Sequence, residues 1–141
     1  LADNNSVLTV SIVTPDGKVY EREDARLVIV RTKTGQLGIM PNHVPVIASL
    51  EVDEVKVNSG SDEVDEIAVN GGFVEFSNNI LTVIADSAEK QADIDVDRAT
   101  AARERAKKAL EEARQKHDNQ EILRNQVALR RAINRIHVAK H

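Results

Sequence analysis

Four arginines in the last third of the 141-residue chain form the constellation with the clearest chemical use. Arg98 and Arg105 are seven apart, so on a helix they share a face, and Arg131 and Arg135 are spaced i, i+4. If the two segments pair antiparallel, the start of the first helix lies beside the end of the second, and all four guanidiniums converge. Just before them stand Glu89 and Ile94-Asp95, at the positive end of the first helix. Fixed cations at such an end suit a polyphosphate, whose oxygens a guanidinium fork recognises in pairs. The plainer reading of the same arginines is helix-surface ion pairing with Asp97, Glu104 or Glu112.

Other chemistries find little material. The absence of Cys excludes disulfides, thiol nucleophiles and zinc–thiolate or iron–sulfur sites. Aromatics make up 2% of residues with no Trp, which leaves almost nothing for stacking nucleic-acid bases. The four histidines are His43, His117, His137 and His141. His137 and His141 have the i, i+4 spacing of a metal pair, but at a helix end with no carboxylate partners, which favours a solvated pair. Gly71-Gly72 is no phosphate loop, and no Ser lies in a Gly-x-Ser-x-Gly elbow. A small hydrolase built on Asp or Glu would have to assemble its site from carboxylates that read as solvated strand edges and turns. No apolar run approaches the ~18 residues of a membrane span, and no stretch reads as a signal peptide. The chain starts at Leu1 and its one Met is Met40, so the natural N-terminus is expected to differ slightly.

The elements that must position these residues divide in two. All six Gly, all three Pro and all three aromatics lie at or before residue 76. Residues 1–88 carry net charge −8 and residues 89–141 carry +4. Two domains are expected, 1–88 and 89–141, joined near Ala88–Asp93.

The acidic domain reads as all-β. β-Branched or alternating runs at 7–13, 26–30, 36–40, 44–50, 52–57, 64–70, 72–76 and 80–85 are strand candidates. Pro15-Asp16-Gly17, Lys33-Thr34-Gly35, Asn58-Ser59-Gly60-Ser61, Gly71-Gly72 and Asn78-Asn79 supply the turns. Eight or nine short strands at this spacing predict a sandwich or flattened barrel. The basic domain lacks Gly and Pro from 95 to 137 and is rich in helix formers. Asp95 or Asp97 caps a first helix with an apolar stripe of Ala99, Ala102, Ala106, Ala109, Leu110 and Ala113. His117-Asp118-Asn119 breaks the pattern, and Ile122, Leu123, Val127, Leu129, Ala132, Ile133 and Ile136 mark a second helix. The short break predicts an antiparallel hairpin. An alanine stripe buries little area, so the hairpin reads equally as a static pair or as one that can come apart.

At this point the sequence resembles a family along its whole length: the epsilon subunits of bacterial F-type (rotary, proton-translocating) ATP synthase. The resemblance rests on Val13-Thr14-Pro15-Asp16-Gly17, on Gly35-Gln36-Leu37-Gly38-Ile39-Met40-Pro41-Asn42-His43-Val44-Pro45 and on Asn70-Gly71-Gly72-Phe73-Val74-Glu75. It continues in Ile94-Asp95-Val96-Asp97-Arg98-Ala99, Ala101-Ala102-Arg103-Glu104-Arg105-Ala106 and Ala128-Leu129-Arg130-Arg131-Ala132-Ile133-Asn134-Arg135. It departs at Asn42, where the family usually has Gly, and at Gln36, where some members have an acid.

The resemblance implies an N-terminal sandwich of about ten strands followed by the two-helix hairpin. It implies a non-catalytic rotor subunit that binds the gamma subunit and rests on the c-ring, with Gln36 and His43 as ring contacts. The subunit couples proton translocation to ATP synthesis and inhibits ATP hydrolysis, and its place is the cytoplasmic face of the bacterial plasma membrane, peripherally attached. The hairpin either folds down on the sandwich or opens toward the alpha and beta subunits. No cofactor is obligatory. ATP is the expected regulatory ligand of the down state, with Glu89, Ile94, Asp95, Arg98, Arg105, Arg131 and Arg135 at the matching positions. Ile94 and Asp95 then face the adenine and the arginines face the phosphates. The competing reading is a nucleic-acid-binding module that uses the basic hairpin, which nine acidic residues among the 13 basic ones and the acidic sandwich oppose.

Overall fold

The computed structural model describes residues 6–60 and 62–141. It divides into two compact units, Leu1–Gln91 and Ala92–His141. The division falls later than the expected 88/89 boundary because Ala88–Lys90 form a strand hydrogen-bonded into the first unit.

Eight strands make up the first unit: β1 (Leu8–Thr14), β2 (Gly17–Ala25), β3 (Leu27–Thr32), β4 (Gly35–Ile39), β5 (Val46–Asn58), β6 (Val64–Ser77), β7 (Ile80–Ala85) and β8 (Ala88–Lys90). They hydrogen-bond in the order β2-β1-β7-β6-β5-β3-β4, with β8 added along β6. All neighbours are antiparallel except β1 and β7.

Two long strands carry the sheet from one layer to the other. In β5 the buried side chains change parity, from Leu50 to Val55 and Val57. In β6 they change from Ile67 and Val69 to Val74 and Phe76. Because side chains alternate sides along a strand, a change of parity means that the strand has turned its other face to the core. In β6 the switch falls at Gly71 and Gly72, both with positive φ. Any Cβ on Gly72 would collide with the carbonyl oxygen of Ile84, so the bend requires glycine twice over. Counted as halves, the two long strands give ten strand segments, five to a layer. One layer is β2, β1, β7 and the adjoining halves of β6 and β5, and the other is β8, the remaining halves and β3 and β4. The expected pairs 44–50 with 52–57 and 64–70 with 72–76 are thus single bent strands. The core between the layers is aliphatic apart from Phe76, and includes Leu8, Val10, Ile12, Val28, Ile39, Ile67 and Leu81.

The turns follow the expected chemistry. Ser77 pairs with Ile80 across a two-residue loop, and both Asn78 and Asn79 have positive φ, as a type I′ turn requires. The expected turn at Asn58-Ser59-Gly60-Ser61 closes with the Gly60 amide donating to Asn58 Oδ1, and Ser61 itself lies outside the described residues. At one rim of the sandwich, the Tyr20 hydroxyl donates to Asp65 Oδ2 (2.6 Å) and Arg22 donates to the same oxygen (2.9 Å). Arg22 also holds Asp24 at 2.6 Å, which keeps the Asp24 carboxyl below its usual range.

The second unit is α1 (Val96–Gln115) and α2 (Asn119–Ala139). Asp95 caps α1, its Oδ1 accepting from the Arg98 amide (3.0 Å), and Asp118 caps α2 in the same way through Glu121. Between them the chain reverses over Lys116–Asp118. The His117 amide donates to Arg114 O and the Asp118 amide to Ala113 O, with His117 at φ +54°, which is a Schellman stop with histidine at the position usually given to glycine.

The phenol of Tyr20 is pushed well above its ordinary value by burial first, then by the hydrogen bond to the Asp65 carboxylate and its charge. A raised folded pKa stabilises the fold fully below about pH 10, and the contribution is lost as pH climbs past the unfolded value toward the folded one. Tyr20 is the one tyrosine and there is no tryptophan, so phenolate absorbance reports it alone. In spectrophotometric titration of the folded chain the absorbance should rise only well above pH 10, and in Asp65→Ala the midpoint should fall toward the model-peptide value of about 10. A native midpoint near the model-peptide value contradicts the rim assignment.

Candidate anion site on the helical pair

The seam between the helices fixes where the arginines point. On α1 Ala99, Ala102, Ala106, Ala109 and Ala113 recur at steps of three and four, and Ala99, Ala106, Leu110 and Ala113 are buried. On α2 Ile122, Asn125, Leu129, Ala132, Ile136 and Ala139 recur likewise, with Ala132 and Ile136 buried. Asn125 is satisfied within its own helix, donating from Nδ2 to Glu121 O (2.8 Å). One side of the seam is thus mostly methyl groups. Each alanine in place of leucine forgoes about three methylenes, or roughly 2.4 kcal/mol of burial at ~0.8 per methylene.

The tight reversal at His117 sets the register, since residues equidistant from it lie level in an antiparallel pair. Arg131 stands level with Arg103 and Arg135 with Ala99, both inside the stretch from Arg98 to Arg105. That stretch spans roughly 10 Å of helix. Handedness does the rest. Arg98 and Arg105 each stand one residue before a seam alanine, and Arg131 and Arg135 each stand one residue before Ala132 and Ile136. A residue one step before the seam is turned about 100° to the same hand of it, and in an antiparallel pair the two preceding flanks lie on one side. All four arginines therefore line a single flank of the pair.

Their neighbours leave most of that charge uncompensated. Glu104, one of the three expected partners, is held by Arg103 (3.1 Å) and Lys107 (3.8 Å) instead. Among the described residues Arg98, Arg105 and Arg131 make no ion pair. Arg98 and Arg105 are exposed, Arg131 and Arg135 are half-buried, and Arg131 Nε is buried with no hydrogen-bond partner. A buried guanidinium N–H left unpaired is costly, and an anion oxygen would satisfy it.

The remaining predicted site residues are placed as follows. Asp95 spends one oxygen on the cap, and Ile94, just before it, is buried. Glu89 stands in β8 opposite Ala68 and belongs to the first unit. Gln36 is exposed on β4 opposite Arg31, bordering a shallow polar hollow with Asp53, Glu54 and Lys56. His43 lies beyond the far end of β4, its ring edge-on to Phe76 at 5.9 Å and its Nδ1 2.6 Å from Val44 O. From Gln36 to Met40 the strand covers about 13 Å, so Gln36 and His43 are not brought together. Among the described residues no group of three or more His, Asp or Glu could hold a metal ion. The His137 and His141 rings meet each other at 4.3 Å.

Two exposed apolar features lie outside the sequence expectations. The outer face of the first layer exposes Phe73 and Ile84, cross-strand partners, and the loop end of the sandwich exposes Met40, Val44, Ile47 and Ile80. Both are apolar displays larger than solvated strands need. Apolar residues at outward strand positions and between turn prolines were the available signal.

Removing one guanidinium from the crowded flank should help the unliganded fold. Arg131→Met should raise stability by about 0.5–1 kcal/mol in nucleotide-free buffer, because it relieves an i, i+4 like-charge pair and an unpaired N–H. Urea denaturation of the isolated chain reads the change, and a clear loss of stability contradicts the picture.

Residues 7–91 match the family model described as ATP synthase, Delta/Epsilon chain, beta-sandwich domain, and residues 92–140 match its long alpha-helix domain. The chain is 64% identical over 141 residues to the ATP synthase epsilon chain of Levilactobacillus brevis, covering all of both chains. It is 61% identical over 137 residues to that of Pediococcus pentosaceus, covering 97% of this chain and 98% of the relative. A chain of the Euglena gracilis mitochondrial ATP synthase, solved by cryo-EM with its c-ring, has the same fold with a TM-score of 0.78 at 19% identity, covering 100% of this chain and 87% of that one. Among the described residues no helix is long and apolar enough to cross a membrane.

Proposed function

The chain belongs to the epsilon-chain family of bacterial ATP synthases, non-catalytic subunits of the central stalk, and from that premise we propose that its helical pair is a nucleotide-sensitive brake on ATP hydrolysis. In one state the pair is closed and holds ATP, with Arg98, Arg105, Arg131 and Arg135 on the phosphates and Ile94 and Asp95 toward the adenine. Glu89 joins the site when the pair is folded down on the sandwich. In the other state the helices open toward the alpha and beta subunits, where their net positive charge meets acidic surface and impedes hydrolysis. ATP favours the first state through its differential affinity, and so releases the brake when nucleotide is plentiful.

The observation that carries this reading is the single flank of four arginines with an unpaired, buried Arg131 Nε. The mostly alanine seam supports it, because two arrangements of the helices then differ little in buried area. The sandwich supplies attachment. The exposed pair Phe73 and Ile84 offers the gamma subunit an apolar row. The end bearing His43 and the 40–45 loop stands on the c-ring, with Gln36 as an outlying contact. The subunit thereby lies on the cytoplasmic face of the plasma membrane and takes part in coupling proton flow to synthesis.

Isothermal calorimetry on the isolated chain tests the site. ATP should bind in preference to GTP, and Arg98→Ala or Arg131→Ala should weaken binding at least tenfold, about 1.4 kcal/mol. Unchanged ATP binding in both variants, or tight binding of short DNA with no response to ATP, contradicts the proposal. In the assembled complex, a cross-link that pins the helices to the sandwich should relieve inhibition of hydrolysis, and unaltered hydrolysis after complete cross-linking counts against the brake.

A further inference from the structure

Two asparagines at the loop end of the sandwich hold each other across a gap of 37 residues. Met40-Pro41-Asn42-His43 is a tight turn: the His43 amide donates to Met40 O (3.2 Å), Pro41 occupies the second position and Asn42 the third, at φ +67°. Those are the requirements of a type II turn, which otherwise selects glycine at Asn42. Asn79 is the second residue of the I′ turn between β6 and β7, at φ +59°. The Asn42 amide donates to Asn79 Oδ1 (2.6 Å), and Asn79 Nδ2 donates back to Asn42 Oδ1 (3.1 Å). Asn79 is anchored in turn, because its carbonyl accepts from the Thr9 amide (2.9 Å) at the start of β1. Three separate connections are tied at one knot.

The knot sits among side chains that the fold gains nothing by exposing. Met40 is 55% exposed, Val44 69%, Ile47 74% and Ile80 52%. Ile80 follows Asn79 directly, and Met40 and Val44 flank the turn that Asn42 completes. Both asparagines occupy the left-handed region, where a side chain costs roughly 1 kcal/mol relative to glycine. Glycine at either position would keep its turn without that cost, and would abolish one or both clamp bonds.

We infer that the reciprocal Asn42–Asn79 amide pair is a positioning clamp that presets the 40–45 loop as a rigid apolar ledge for docking on the rotor ring. The inference rests on the reading that this end of the sandwich stands on the ring. Rigidifying a loop in its bound shape removes an ordering cost from association and slows dissociation. The ledge meets the ring with Met40 and Val44, and the clamp keeps those two side chains at a fixed spacing.

The test uses the assembled, detergent-solubilised complex, at a temperature where each isolated variant chain remains fully folded. Asn79→Gly keeps the I′ turn and removes the acceptor for the Asn42 amide. It should lose the subunit from the complex about tenfold faster on dilution, and exchange of the Asn42 amide in the isolated chain should quicken. Asn79→Asp restores the acceptor and should restore slow exchange and most of the retention. A purely structural role would alter melting but not retention. Asn79→Gly with native retention overturns the clamp. Val44→Asp separates the two levels: it should detach the subunit whatever the clamp does, and native retention of Val44→Asp would sink the ring-docking reading itself.

Discussion

Like charges crowded along one side of a weakly packed helix pair are the constraint around which the C-terminal unit is built. Arg98, Arg105, Arg131 and Arg135 lie within about seven residues of helix along one flank, roughly 10 Å. The seam beside them is mostly alanine on α1, with Leu110 its one large buried residue. Neither feature is what a structural hairpin selected for stability would carry. A leucine seam would add burial, and a carboxylate level with the four arginines would remove repulsion. Glu104 is near enough in sequence to serve, but it pairs with Arg103 and Lys107. The flank is thus left open to an anion from outside, and the seam is left weak enough for an anion to matter.

The sandwich has the opposite design. Its interior is closed by bent strands β5 and β6, which belong to both layers, so opening one layer disrupts the other. Polar groups fasten its rims, with Asp65 gripping Tyr20 and Arg22, and Asn42 gripping Asn79. A closed unit of net negative charge and a loosely zipped unit of net positive charge suit the division of work that the proposed brake requires, in which one stays attached while the other changes its contacts. Free energy differences of a few kcal/mol suffice for such a switch, and one bound nucleotide can supply them.

Much of this was legible in the residues. Gly and Pro usage marked the domain division, alternation marked most strands, and alanine periodicity with Asp95 marked the first helix and its cap. The misses have physical causes. β2 carries no strand signal because Gly17–Ala25 is an edge strand crowded with charge, where hydrophobic alternation is replaced by protection against edge pairing. β8 is not legible because three residues carry no periodicity, and the division at Gln91/Ala92 lies inside the expected junction Ala88–Asp93. The continuity of β5 and β6 was hidden because a parity change reads as two strands until the partner register is known. For the site, spacing alone put Arg98 with Arg105 and Arg131 with Arg135. Their convergence followed from an antiparallel pairing, and the register that brings the two pairs level needed the length of the turn, which the Schellman stop at His117 fixes. The Asn42–Asn79 pair could not be read at all, since it joins turns far apart in sequence.

The central claim is that an anion on the arginine flank tightens the helical pair. Amide hydrogen exchange along α1 and α2 in the isolated full-length chain measures this directly, with and without ATP, at low and moderate salt. The account predicts that ATP slows exchange across both helices together, at least tenfold, and more so at low salt. Exchange in the helices that is indifferent to ATP, with the sandwich equally unaffected, would contradict it.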